Sequence, residues 1–200
     1  MHIDTAAGGA PAARKILITG GFGAGKTSLI AAITEVQPVL TEEALTAAGT
    51  DSGSLAGLPA KTTTTVALDF GRITVSDQLV LYLFGVPGQH RFWFMWDELV
   101  LGALGAVVLA DMRRLGDCFP AVTYFEQRQV PFLVAVNCFD GAPRYELSDI
   151  RVALDLDEEV PVMLCDARDR DSVREILIRL VECVYARLAV GSRRAAPDQP

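Results

Sequence analysis

Residues 20 to 27 read Gly20-Gly21-Phe22-Gly23-Ala24-Gly25-Lys26-Thr27, between an apolar run, Ile16-Leu17-Ile18, and a helical pattern, Ser28-Leu29-Ile30-Ala31-Ala32-Ile33. This is a complete G-x-x-x-x-G-K-[ST] string in a strand-loop-helix setting, the pattern of a loop that wraps phosphate groups. Glycines let the backbone curl so that several N–H groups converge, and the following helix adds about half a positive charge at its N-terminus. Gly21, Phe22, Gly23, Ala24, Gly25 and Ser28 are therefore expected to line a phosphate, with Lys26 reaching the β- and γ-phosphates and the Thr27 hydroxyl ligating Mg2+. Such a loop commits the chain to a strand carrying a helix at its C-terminal end.

The rest of the chain repeats that alternation. Strand-like runs occur at Ile16 to Thr19, Thr64 to Phe70, Gly71 to Val75, Leu79 to Phe84, Ala106 to Ala110, Phe132 to Asn137 and Val162 to Asp166. Helices are expected over Lys26 to Val36, Trp93 to Leu104, Pro120 to Gln129, around Ser148 to Ala153, and over Ser172 to Ala189. Strands alternating with helices imply a parallel sheet with crossover connections. Nothing helical fits between Thr64 to Phe70 and Ile73 to Leu83, and Ser76-Asp77 supplies a turn, so a hairpin should put one antiparallel strand at the sheet edge. The expected class is α/β: a three-layer sandwich around a six-stranded, mostly parallel sheet.

With 200 residues, half of them apolar, the chain suits one core. The expected division is a flexible arm over residues 1–13, a folded domain over 14–190 and a flexible tail over 191–200; Ala47 to Leu58 reads as a mobile loop. The apolar stretch Leu99 to Ala110 is broken by glycines and short of the about 20 residues of a membrane span. The start lacks the pattern of a secretory signal. Cys118, Cys138, Cys165 and Cys183 are widely spaced, which suggests reduced cytosolic thiols rather than zinc ligands or a disulfide framework. A net charge of -7 argues against a nucleic-acid partner, which calls for clustered Lys and Arg. A cytoplasmic protein with protein partners is the expectation.

Three further strings give the phosphate loop its meaning. Gly85-Val86-Pro87-Gly88-Gln89 follows a strand, Asn137-Cys138-Phe139-Asp140 ends another, and Lys61 to Phe70 carries four threonines before Asp69-Phe70. In this order they resemble the D-x-x-G-Q, N-K-x-D and T-x-x-x-D-F signatures of the Ras-like small GTPases, and Cys165-Asp166-Ala167 stands where that family carries S-A-x. The nearest resemblance is to bacterial members: gliding-polarity GTPases and, more closely, the conservon D-type proteins of actinobacteria. The strings Lys61 to Ile73, Leu83 to Asp97 and Val134 to Gly141 carry it.

The resemblance implies a G-domain that binds GTP or GDP with Mg2+. It implies that Gly88 offers its N–H to the γ-phosphate, that Gln89 orients the attacking water, and that Thr65, or else Thr64, closes over the metal. Asp140 would accept two hydrogen bonds from guanine, with Asn137, Cys138, Asp166 and Ala167 completing the base site and the Ala167 N–H facing the guanine carbonyl. It further implies a roadblock-type regulatory partner and a membrane sensor-kinase-like protein, with recruitment to the membrane through such partners. Some positions depart from the family. Gly85 replaces the Asp that holds magnesium through water; Asp69 and Asp111 are the candidate substitutes, unless each only caps a loop. Cys138 replaces the Lys that stacks on the base. Phe22 crowds the place where a partner would insert an arginine finger, so an arginine in cis is expected, Arg91 before Arg72, and hydrolysis should be slow. Phe92-Trp93-Phe94-Met95-Trp96 is divided between core and a partner-binding patch. Two other readings stay open: a nucleotide-binding signalling module with little hydrolysis, and a P-loop phosphotransferase.

Overall fold

In the apolar run of the first strand, neighbouring side chains are buried on both sides of the backbone, the mark of a strand inside a two-faced sheet. The computed structural model describes residues 10–37, 39–46, 63–88 and 93–194, with backbone alone for 39–46, 63–67, 93–94 and 190–194. The elements are β1 (Ala12–Gly20), α1 (Lys26–Ile33), β2 (Val39–Thr46), β3 (Thr63–Ser76), β4 (Leu79–Gly85), α2 (Trp93–Val100), β5 (Ala103–Ala110), a 3-10 helix (Met112–Cys118), α3 (Phe119–Gln127), β6 (Phe132–Asn137), α4 (Leu147–Ala153), β7 (Val162–Cys165) and α5 (Arg170–Arg194).

They form one sheet in the order β2-β3-β4-β1-β5-β6-β7. From β4 to β7 every pairing is parallel. The expected hairpin is present: β3 runs antiparallel to β4, with Asp69 opposite Gly85 and a bulge between Thr74 and Ser76. Beyond it lies β2, antiparallel to β3, so that β2 and not the hairpin forms that edge. Its string, Val-Leu-Thr-Glu-Glu-Ala-Leu-Thr, lacks the strict alternation that marks a half-buried strand, and adjacent glutamates suit an edge. α2 stops at Val100, short of the expected Leu104, because Leu101-Gly102 turns the chain and β5 already starts at Ala103. At the other end α5 continues past Ala189 to Arg194.

Alternation along the strands sorts the apolar residues into two layers. Ile16, Ile18, Leu83, Val107, Leu109 and Leu133 pack under α1 and α5 with Ile30, Ile33, Ile176 and Leu180. Leu17, Val108, Val134 and Val136 face the other way, against Trp96, Tyr124, Phe125 and Ile150 of α2, α3 and α4. That is the three-layer sandwich. Every parallel strand therefore delivers its C-terminal end to the same edge, where crossover loops gather and where ligands of open α/β sheets bind.

Candidate functional site

The phosphate loop is shaped by its glycines and pinned from below. Gly25 starts α1 with φ 106°, a left-handed conformation that costs a side chain dearly, and a Cβ there would stand 2.5 Å from Asn137 Nδ2. Asn137, at the end of β6, is buried and bridges two segments: its Nδ2 donates to the Ala24 carbonyl at 2.9 Å, and its Oδ1 accepts from the Ala167 N–H at 3.0 Å. After β4 the chain folds against the same loop. A Cβ on Gly88 would come within 2.3 Å of the Gly20 carbonyl, so no larger residue fits there.

These segments enclose a cleft of about 410 Å3 lined by Phe22, Gly23 and Gly25 to Ser28 of the loop, Asp69 of β3, and Gly85, Pro87 and Gly88. Lys26 lies across its floor, donating from Nζ to the carbonyls of Gly20 at 3.0 Å and Gly21 at 2.9 Å. Burial lowers the Lys26 pKa, and the carboxylate of Asp69 pulls it partly back. Thr27 Oγ1 donates to Asp69 Oδ2 at 2.7 Å, and Asp69 is itself buried. A hydroxyl and a carboxylate side by side under a phosphate loop are hard oxygen donors, the set that suits Mg2+. Among the described residues no cluster of three or more His, Cys, Asp or Glu could hold a metal unaided.

The expected base-reading residues come together at the ends of β6 and β7, but they are tied to one another. Arg168 forks onto Asp166, with Nη2 to Oδ2 at 2.9 Å and Nε to Oδ1 at 3.0 Å, and its Nη1 stands 3.4 Å from Asp140 Oδ2. Hydrogen bonding to Arg168 lowers the Asp166 pKa to about 2. The Ala167 N–H, assigned by resemblance to the guanine carbonyl, here donates to Asn137. Cys138 is half-buried; burial pushes the neighbouring Cys165 thiol up to about 12, and all four cysteines are free thiols.

Gln89 and Arg91 lie outside the described residues, as does the side chain of Thr65, although its backbone belongs to β3. Arg72 is not among the residues that line the cleft. The guanidinium that does meet the loop is one the sequence did not single out: Arg114 Nη2 donates to the Phe22 carbonyl, and its Nε stands 3.6 Å from Asp117, which packs beneath Gly21. No local string marks it; its place follows from the irregular turn at Arg114 within the 3-10 helix after β5. Phe22 is exposed at the loop tip.

A family profile described as "Conserved hypothetical ATP binding protein" matches residues 18–187. The chain belongs to this family. The uncharacterized protein MJ1339 of Methanocaldococcus jannaschii is 30% identical over 78 residues, which cover 38% of this chain and 50% of that protein, so the match spans about half of the relative's length. The G domain of the FeoB iron transporter of T. maritima superimposes with a TM-score of 0.58 at 18% identity, covering 86% of this chain and 99% of that one. The FeoB G-domain of Methanococcus jannaschii gives the same TM-score at 13% identity, covering 86% and 98%. At such identities the likeness is one of fold: this member of the family has the α/β architecture of a G-domain. Among its described residues no helix is long and apolar enough to cross a membrane.

Proposed function

We propose that the chain is a guanine-nucleotide-binding switch that slowly hydrolyses GTP to GDP and phosphate. The observation that carries this reading is Asn137, whose single amide ties the phosphate loop at Ala24 to the Ala167 segment of the proposed base site. It couples the two halves a nucleotide would span.

In this reading the loop N–H groups hold the β- and γ-phosphates, and Lys26 exchanges the Gly20 and Gly21 carbonyls for phosphate oxygens. Gly88 presents its N–H to the γ-phosphate, and Gln89 orients the attacking water. Thr27 and Thr65 would hold Mg2+, which would supply charge neutralisation for the phosphates. Asp140 reads guanine once it exchanges Arg168 for the base edge. The exposed Phe22 ring blocks an arginine arriving from a partner, so stimulation comes in cis, with Arg91 the first candidate. Residues 61–70 and 85–92 change conformation between the two nucleotide states and signal to partners. Resemblance to the conservon D-type proteins supports a roadblock-type regulator and a membrane sensor-kinase-like protein as those partners, met in the cytoplasm.

The family's description favours a second reading, in which the nucleotide is ATP. The Arg168 pairing of Asp140 and the Cys138 substitution support it. Isothermal titration with GTP, GDP and ATP, with and without Mg2+, decides between them: the first reading requires guanine nucleotides to bind more tightly than ATP by roughly tenfold or more, within the ~1–3 kcal/mol that a bidentate contact to a base edge discriminates. Multiple-turnover release of phosphate from GTP then separates a slow GTPase from a module that binds without hydrolysis.

A further inference from the structure

β4 ends in Gly85, where the Ras-like GTPases that the sequence resembles carry a magnesium-holding Asp, and so offers no carboxylate there. We infer that Asp69, on the neighbouring strand, supplies the carboxylate of the divalent-cation site in place of residue 85. The inference rests on the nucleotide-binding reading and goes beyond it by naming the relocated ligand.

Register makes the relocation possible. Asp69 and Gly85 are direct partners in the antiparallel β3–β4 pairing, so their side-chain positions share one face of the sheet. The structure shows that they share one volume. A Cβ built on Gly85 would stand 2.8 Å from Asp69 Cβ, 3.1 Å from Asp69 Oδ2 and 2.9 Å from Ile30 Cδ1. One carboxylate fits there, and it comes from β3. Its Oδ2 accepts the Thr27 hydroxyl proton at 2.7 Å, which leaves the Thr27 oxygen lone pairs free for a cation and the carboxylate beside them to stabilise it. Asp69 also lines the phosphate cleft and attracts Lys26.

The other candidate is spoken for. Asp111 caps the 3-10 helix, accepting from the Arg113 N–H at 3.0 Å, and holds the Arg113 guanidinium with Nη2 to Oδ2 at 2.7 Å and Nε to Oδ1 at 2.9 Å. It does not line the cleft.

The test measures Mn2+ affinity by electron paramagnetic resonance on the full chain loaded with GDP, or with ADP should the wild type hold that instead. Asp69→Asn is expected to weaken Mn2+ binding by roughly 10- to 100-fold, the cost of losing a carboxylate that supports a metal site. Asp111→Asn should leave it unchanged. The decisive variant moves the carboxylate back across the pair: Asp69→Gly with Gly85→Asp removes the backbone-adjacent clash, leaving only the flexible end of Ile30 to shift, and should regain at least part of the affinity that Asp69→Gly alone loses. Wild-type Mn2+ affinity in Asp69→Asn, or no gain in the double variant over Asp69→Gly, overturns the assignment. Adenine selectivity with an intact Asp69 effect would overturn the guanine reading while sustaining this one. A wild type that binds neither GDP nor ADP would overturn both.

Discussion

Asn137 concentrates more of the site's geometry than any charged residue. It is buried at 5% exposure, and both of its hydrogen bonds go to backbone groups that have no water to turn to. Asn137→Ala therefore orphans a carbonyl and an N–H at once; at about 1–3 kcal/mol each, the expected loss is about 3 kcal/mol, read from urea denaturation. At the exposed rim the balance differs. Asp166 has its pKa lowered to about 2 by hydrogen bonds from Arg168, against about 3.9 in an unfolded chain. A depressed carboxylate stabilises the fold above the unfolded value and loses that contribution as pH falls toward the folded one. The gap in denaturation midpoint between wild type and Asp166→Asn should accordingly be widest at pH 7 and narrow steadily between pH 4 and pH 2. A gap that stays constant would remove the Arg168 pairing as its cause.

At the scale of elements, α2 is the helix that joins the segment after β4 to the core. Of the aromatic string that begins it, Trp96 is fully buried, stacked on Phe125 at 5.6 Å and edge-on to Tyr124 at 4.9 Å, while its Nε1 donates to the Pro87 carbonyl at 3.1 Å. Around it, Tyr124 donates to Asp97 at 2.7 Å and Arg128 closes the group at 2.5 Å from the same carboxylate. Burial and the Asp97 bond raise the Tyr124 pKa, which keeps the phenol a donor. Thus α3 holds α2, and α2 holds Pro87 in the segment that follows β4. Trp96→Phe keeps most of the stack but loses the bond to Pro87, so hydrogen exchange should rise over residues 86–88 while β4 stays protected; Trp96→Ala, which opens a cavity, should cost about 3–5 kcal/mol. Equal exchange in Trp96→Phe and wild type would detach the helix from the loop. That a helix starts at Trp93 and cannot bury all of these rings was legible in the sequence, but which ring turns inward was not. Which ring turns inward depends on where Tyr124 and Phe125 of another helix arrive.

On the scale of the whole molecule, the cleft is built from the phosphate loop and both strands of the hairpin, and the loop is held from behind by Asn137, 113 positions from Ala24. A ligand there bridges segments that unfold together. Saturating GDP with Mg2+ at 100 times the dissociation constant should add about 2.7 kcal/mol of stability to the whole chain in a single cooperative transition, seen by calorimetry. A second, ligand-insensitive transition would contradict one cooperative unit.

The sequence by itself determined the phosphate loop, the alternation of strands and helices and hence the class of fold, and the order of the motifs, because each of these is written in contiguous residues. Glycine spacing, apolar periodicity and Pro-Gly turns act over a few positions. Only the tertiary structure decided which acid serves the cleft, which arginine meets the loop, and what Asn137 joins. Asp69 and Gly85 are partners because of strand register, Arg114 reaches Phe22 because of an irregular turn on another segment, and β2 exists as a strand because β3 offers it an edge. Pairing across a sheet carries no local signature, so its consequences surface when the chain closes on itself.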